Sequence, residues 1–93
     1  GILSSALHAN GAYAKSLMVE VGSYRLNPRI SHELIDEGRH WPKMDGKTIF
    51  KLAVQKLPEV VKESLAKAEL SLDDIDLFSP QQANYRINQF FHQ

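Results

Sequence analysis

Residues 47–69 read KTIFKLAVQKLPEVVKESLAKAE, and the spacing of their apolar side chains decides the fold class. Phe50, Ala53, Val54, Leu57, Val61, Leu65 and Ala68 recur mainly at intervals of three and four, the stripe of a helix with one buried face. Lys51, Lys56, Glu59, Lys62, Glu63 and Lys67 fall mainly on the other side. Pro58 lies inside the pattern and has no N–H to donate to the carbonyl of residue 54. A kink, or two abutting helices, is expected there.

Downstream, SLDD (71–74) leads into IDLF (75–78), which reads as a short apolar strand inside a sheet. SPQQ (79–82) then reads as a helix start. Ser79 suits the N-cap, Pro80 the first helical position, and Gln82 completes the capping-box pattern. Ile87, Phe90 and Phe91 would form the apolar face of this last helix, and the sequence ends within the periodic segment with no stop signal.

Upstream, residues 22–45 lose all periodicity and read as a long connection, with one helical turn expected around Ser31 to Glu37. Residues 2–8 and 13–21 are short segments on either side of Asn10-Gly11, a pair that tolerates positive φ and signals a hairpin between two strands. The predicted order is strand, strand, long loop, helix, strand, helix. Such an α/β string has too few strands for an ordinary sheet and would leave edges and helix faces bare. A slice of a larger fold, incomplete as an independent domain, is the simpler expectation.

Composition narrows the chemistry. The chain has 93 residues, a size at which an independent fold is marginal without extra support. It has no cysteine, hence neither a disulfide nor a thiolate nucleophile of its own. Eleven basic and eleven acidic side chains cancel, which argues against a general polyanion binder. Basic residues are not interleaved with aromatics as nucleic-acid binding would require, so no nucleic acid is expected as a partner. No apolar run approaches the roughly 20 residues that span a bilayer, and GILSSALHANG lacks the basic start of a signal peptide. A soluble, intracellular chain without membrane association is the expectation.

Chemically suggestive clusters are few. His8, His32, His40 and His92 lack metal-ligand spacing. SHELIDEGRH (31–40) groups His32, Glu33, Asp36, Glu37 and His40, but it reads first as a solvated polar loop, and no metal is expected. Asp73, Asp74 and Asp76 read as a turn with one residue capping it rather than as an acid pair. MDGK (44–47) places a single glycine before a helix and makes no phosphate-cradling loop. Local physics singles out Gln81. If Pro80 opens a helix directly after a strand, Gln81 sits in the first turn, where free N–H groups and the helix dipole favour negative charge. Its amide can donate to a developing oxyanion but cannot shuttle a proton. The alternative is a polar first-turn residue with no special contact.

GILSSALHANG, MDGKTIFKLAVQKLPEVVKESLAKAELSLDDIDLF and PQQANYRI resemble, in order, the middle and later part of β-ketoacyl-acyl-carrier-protein synthase III, a thiolase-like family. The resemblance covers essentially the whole chain and is strongest from Met44 to Ile87. It implies a thiolase-like α/β fold of two similar halves, with 1–45 closing the first half and crossing over, and 46–93 opening the second. It implies an acyltransferase of fatty-acid or related acyl-chain biosynthesis, cytoplasmic and homodimeric, without a cofactor. Its partners would be acyl-CoA, acyl carrier protein and the remainder of the parent, whether in one chain or as a second polypeptide. In the family the segment matching PQQAN is PHQAN, and its histidine acts with an upstream cysteine and a downstream asparagine. Gln81 stands at the histidine's position, as a natural divergence, in an inactive paralogue or by engineering. By the same resemblance Gly46 and Phe50 match the wall of the substrate tunnel, and Lys51 and Arg86 match the surface that receives the carrier protein. Further basic residues expected near the end of the last helix are replaced by Phe91, His92 and Gln93. The isolated chain, lacking the nucleophile, is expected to be inactive. The other reading is a non-catalytic subunit that binds a carrier protein or a complete homologue.

Overall fold

The computed structural model describes residues 1–91. In chain order it holds a 3₁₀ helix (Gly11–Ser16), strand β1 (Leu17–Met18), helix α1 (His32–Asp36), strand β2 (Lys43–Met44), helix α2 (Gly46–Lys67), a second 3₁₀ helix (Leu72–Asp74) and helix α3 (Tyr85–Phe91). It is a mixed helix and strand piece whose sheet has two strands among the described residues. β1 and β2 pair antiparallel with Leu17 opposite Met44 and Met18 opposite Lys43.

The chain divides into two compact units, one formed by residues 10–49 and the other by residues 1–9 with the described residues from Phe50 onward. In the first, the β1–β2 pair is extended by the Asp45 N–H, which donates to the Ser16 carbonyl at 2.8 Å. Val21, 8% exposed, is the one buried apolar residue among those described. In the second unit, residues 1–8 carry no regular structure but are strapped to the last turns of α2. Ser4 Oγ donates to the Ser64 carbonyl at 2.7 Å, Lys67 Nζ to the Ser5 carbonyl at 3.3 Å, and His8 pairs with Glu63.

Helix α2 follows its sequence stripe. Phe50, Ala53, Val54, Leu57, Val61, Leu65 and Ala68 are all half-buried, whereas Lys51, Lys56, Glu59, Lys62 and Lys67 are exposed. Asp45 caps its start: Oδ1 accepts from the Thr48 N–H at 3.2 Å and Oδ2 from the Thr48 hydroxyl at 2.6 Å. These bonds to the ionised form hold the Asp45 carboxyl below its ordinary range. The helix ends in a Schellman closure, with the Leu70 N–H on the Leu65 carbonyl at 3.0 Å and the Glu69 N–H on the Ala66 carbonyl at 3.1 Å. Glu69 takes the left-handed position there, φ 57°, that glycine usually fills.

Four expectations are corrected. α2 runs unbroken through Pro58, so there are not two abutting helices; the missing N–H is a single bond within a helix of 22 residues. The Asn10-Gly11 hairpin does not form. Neither residue has the positive φ that its turn would require, and Asn10 instead caps the first 3₁₀ helix, its Oδ1 accepting from the Ala12 N–H at 3.1 Å. β1 finds its partner across the long connection, in β2, and not in residues 2–8. IDLF is not a strand: a strand needs a neighbour for its N–H and C=O groups, and none lies beside residues 75–78 among the described residues. The last helix begins at Tyr85, not at Pro80. Asn84 is its cap, with Oδ1 accepting from the N–H groups of Arg86 at 2.9 Å and Ile87 at 3.4 Å.

Other local readings stand. The turn expected around residues 31–37 is α1, capped by Ser31 Oγ on the Leu34 N–H at 3.2 Å. Asp74 is the capping residue of its acidic cluster, accepting from the Ser71 N–H at 2.8 Å and hydroxyl at 2.9 Å, which lowers its pKa.

Candidate functional site

Gln81 lies in non-helical backbone between the second 3₁₀ helix and α3, exposed, with no side-chain hydrogen bond among the described residues. Gln81 therefore lies outside the first turn of α3, whose free N–H groups lie beyond Asn84, and the Asn84 side chain accepts from two of them, those of Arg86 and Ile87. What remains is an unpaired amide able to donate two hydrogen bonds and accept one or more, with no imidazole-like basicity.

Gly46 is the first residue of α2 and is exposed; a Cβ added to it would meet only Met44 Cε, at 4.0 Å. Phe50, half-buried, lies four residues on and so on the same helix face. Lys51 is exposed on α2 and Arg86 is exposed in the first turn of α3, and neither joins an ion pair among the described residues. Both cations are thus available to an anionic surface. His92 and Gln93 lie outside the described residues.

Sequence reading missed the charged cluster of the first unit. Glu20 accepts from Arg39 Nη2 at 2.8 Å and from Lys43 Nζ at 3.3 Å, and Arg39 Nη1 lies 3.5 Å from Glu37. The hydrogen bond from Arg39, then that from Lys43, lowers the Glu20 carboxyl to about 2. Partners 19 and 23 residues apart leave no periodic signal, so no motif could have exposed this cluster. The acidic and histidine side chains of SHELIDEGRH do not converge: among the described residues no group of three or more His, Asp or Glu is arranged to hold a metal ion. Among those residues, too, no helix is long and apolar enough to cross a membrane.

Large apolar side chains stand open along the chain. Ile2, Leu7 and Leu77 are 92%, 92% and 82% exposed, and Leu72, Ile75, Phe78, Tyr85 and Phe90 are exposed as well. Monomeric domains rarely leave large contiguous apolar patches uncovered.

Comparison with known proteins bears out the family resemblance. The chain is 42% identical over 87 residues to the β-ketoacyl-[acyl-carrier-protein] synthase III of Syntrophomonas wolfei subsp. wolfei, a match covering 94% of this chain and 26% of that protein. It is 38% identical over 87 residues to the synthase of the same name from Chlorobium phaeobacteroides, with the same coverage. The chain therefore spans about a quarter of the length of these curated relatives. No protein-family model matches it.

Proposed function

We propose that the chain is part of a synthase-III-like acyltransferase that joins an acyl group from acyl-CoA to malonyl-carrier protein in fatty-acid or related acyl-chain biosynthesis. The observation that carries this reading is the identity of 42% sustained over 87 residues. The open apolar faces support it, because a thiolase-like scaffold of two packed halves would cover them. In this reading residues 1–45 close the first half and 46–93 open the second. The parent is cytoplasmic and homodimeric.

The roles follow from the chemistry. A cysteine supplied from outside these residues takes the acyl group as a thioester. Loss of CO2 from the malonyl group leaves an enolate whose carbon attacks that thioester and expels the cysteine thiolate, and negative charge on the reacting oxygen needs hydrogen-bond donors. Gln81 is such a donor. Gly46 and Phe50, on one face of α2, line the acyl tunnel, and Lys51 and Arg86 steer the acidic carrier protein, an attraction weakened by salt. A purified 93-residue chain, free of other polypeptides, has no turnover because it holds no cysteine.

Gln81 itself favours a second reading, a non-catalytic relative that binds a carrier protein or a complete homologue. Gln81→His in the full-length parent separates the two. A large gain in malonyl decarboxylation supports a preserved catalytic site. No gain, with carrier-protein binding intact, supports the binding role. Loss of carrier-protein binding in a Lys51→Glu, Arg86→Glu parent is expected under both; unaltered binding would remove the docking assignment.

A further inference from the structure

Asn10-Gly11 does not form the hairpin turn that its sequence suggests, and the structure gives the pair a different chemistry. Asn10 caps the first 3₁₀ helix from an extended backbone, φ −133° and ψ 95°. Its Oδ1 accepts from the Ala12 N–H at 3.1 Å, an Asx turn that closes over the intervening Gly11. Gly11 is the first residue of that helix, so the helix's internal bonds do not use its N–H, which donates to nothing among the described residues. Both residues are exposed, and beyond its chain neighbours no atom lies within 4 Å of where a Gly11 Cβ would stand. A free and uncrowded backbone nitrogen thus neighbours a side-chain amide whose oxygen already receives a hydrogen bond.

We infer that Asn10 is a site of spontaneous deamidation, and that the Ala12 N–H assists the reaction. The Gly11 nitrogen gives its proton to solvent hydroxide and attacks the Asn10 Cγ. Negative charge gathers on Oδ1, the oxygen that the Ala12 N–H already meets, as in an oxyanion hole. The bond from Cγ to the amide nitrogen then breaks, and that nitrogen leaves as ammonia with a proton from water. Water opens the resulting cyclic imide at either carbonyl, leaving aspartate or isoaspartate at position 10. Aspartate keeps an oxygen for the Ala12 N–H and adds a negative charge to a chain whose charges otherwise cancel. Isoaspartate inserts a methylene into the main chain and displaces the cap. The other asparagines lack this geometry. Asn27 precedes Pro28, which has no N–H to lose. Asn84 and Asn88 precede Tyr85 and Gln89, which carry a Cβ beside the attacking nitrogen and belong to α3.

Peptide mass spectrometry on the full-length parent, kept folded at mildly alkaline pH and sampled over time, tests this. The expected result is conversion at Asn10 to aspartate and isoaspartate while Asn84 and Asn88 stay unconverted. Conversion at Asn10 no faster than at Asn84 or Asn88 overturns the site. Ala12→Pro removes the assisting N–H and is expected to slow conversion about fivefold, the worth of one net hydrogen bond. An unchanged rate in a folded variant overturns the assistance. If Ala12→Pro loses the local fold, read as lost exchange protection of the Asp45 amide on the Ser16 carbonyl, the unaltered parent is compared with itself unfolded in urea. Slower conversion after unfolding then supports the assistance, and conversion as fast or faster overturns it.

Discussion

Helix α2 and the stretch Ile75–Gln81 are both rich in apolar residues, yet one is regular along 22 residues and the other has no regular structure. The difference lies in where each finds partners for its backbone. A helix closes its hydrogen bonds within itself, and α2 has both ends finished locally, by Asp45 at the start and the Schellman turn at Glu69. A strand closes none of its bonds alone. Ile75, Leu77 and Phe78 remain exposed because nothing among the described residues lies beside them.

The contrast breaks most sharply under proline. Lys62→Pro in α2 removes a bond to the Pro58 carbonyl and adds a clash, at a cost of about 3 kcal/mol, visible as lost helical circular dichroism. Leu77→Pro in the same 93-residue chain is expected to leave that signal unchanged. In the full-length parent it is expected to be destabilising, because there the proposed scaffold supplies the neighbouring strand. A Leu77→Pro parent as stable as the unaltered one would contradict that scaffold.

Smaller changes sharpen the role of local closure. Glu69→Gly relieves the left-handed position of a residue with a Cβ and is expected to stabilise α2 by about 1 kcal/mol, read as a raised thermal midpoint. Asn84→Ala leaves the first N–H groups of α3 without their acceptor and is expected to cost about 1 kcal/mol locally, read by exchange of the Arg86 and Ile87 amides. The smallest effect is the pH response of the Glu20–Arg39–Lys43 cluster. Glu20 has a folded pKa lowered to about 2 from an ordinary 4.5, so its contribution is fully present above 4.5. It is lost as pH falls from there through about 2, and a carbon-detected NMR titration of Glu20 should show that depressed midpoint.

Two of the caps show how far sequence reading reaches. Asn84 and Asp45 are residue types that favour N-caps, and both precede helical segments, so their signal was present. At residues 79–82 the same rules pointed to Ser79 and Pro80, because the Ser-Pro-Gln-Gln pattern is the stronger capping signature. The structure prefers Asn84, and the displacement takes Gln81 off the helix on which its local argument rested. The resemblance of PQQAN to its family segment is independent of that argument, and it alone carries the proposed role of Gln81.

The sequence by itself determined the elements whose energetics are local: α2 from its apolar stripe, α1 from Ser31 and its turn, the Asp74 cap, and the family resemblance through residues in linear order. Tertiary structure alone decided the pairing of Leu17–Met18 with Lys43–Met44, the strap of residues 4–8 on α2, and the Glu20–Arg39–Lys43 cluster. Each of these joins groups 19 to 62 residues apart, contacts that depend on where the whole chain places them and that leave no period in the sequence.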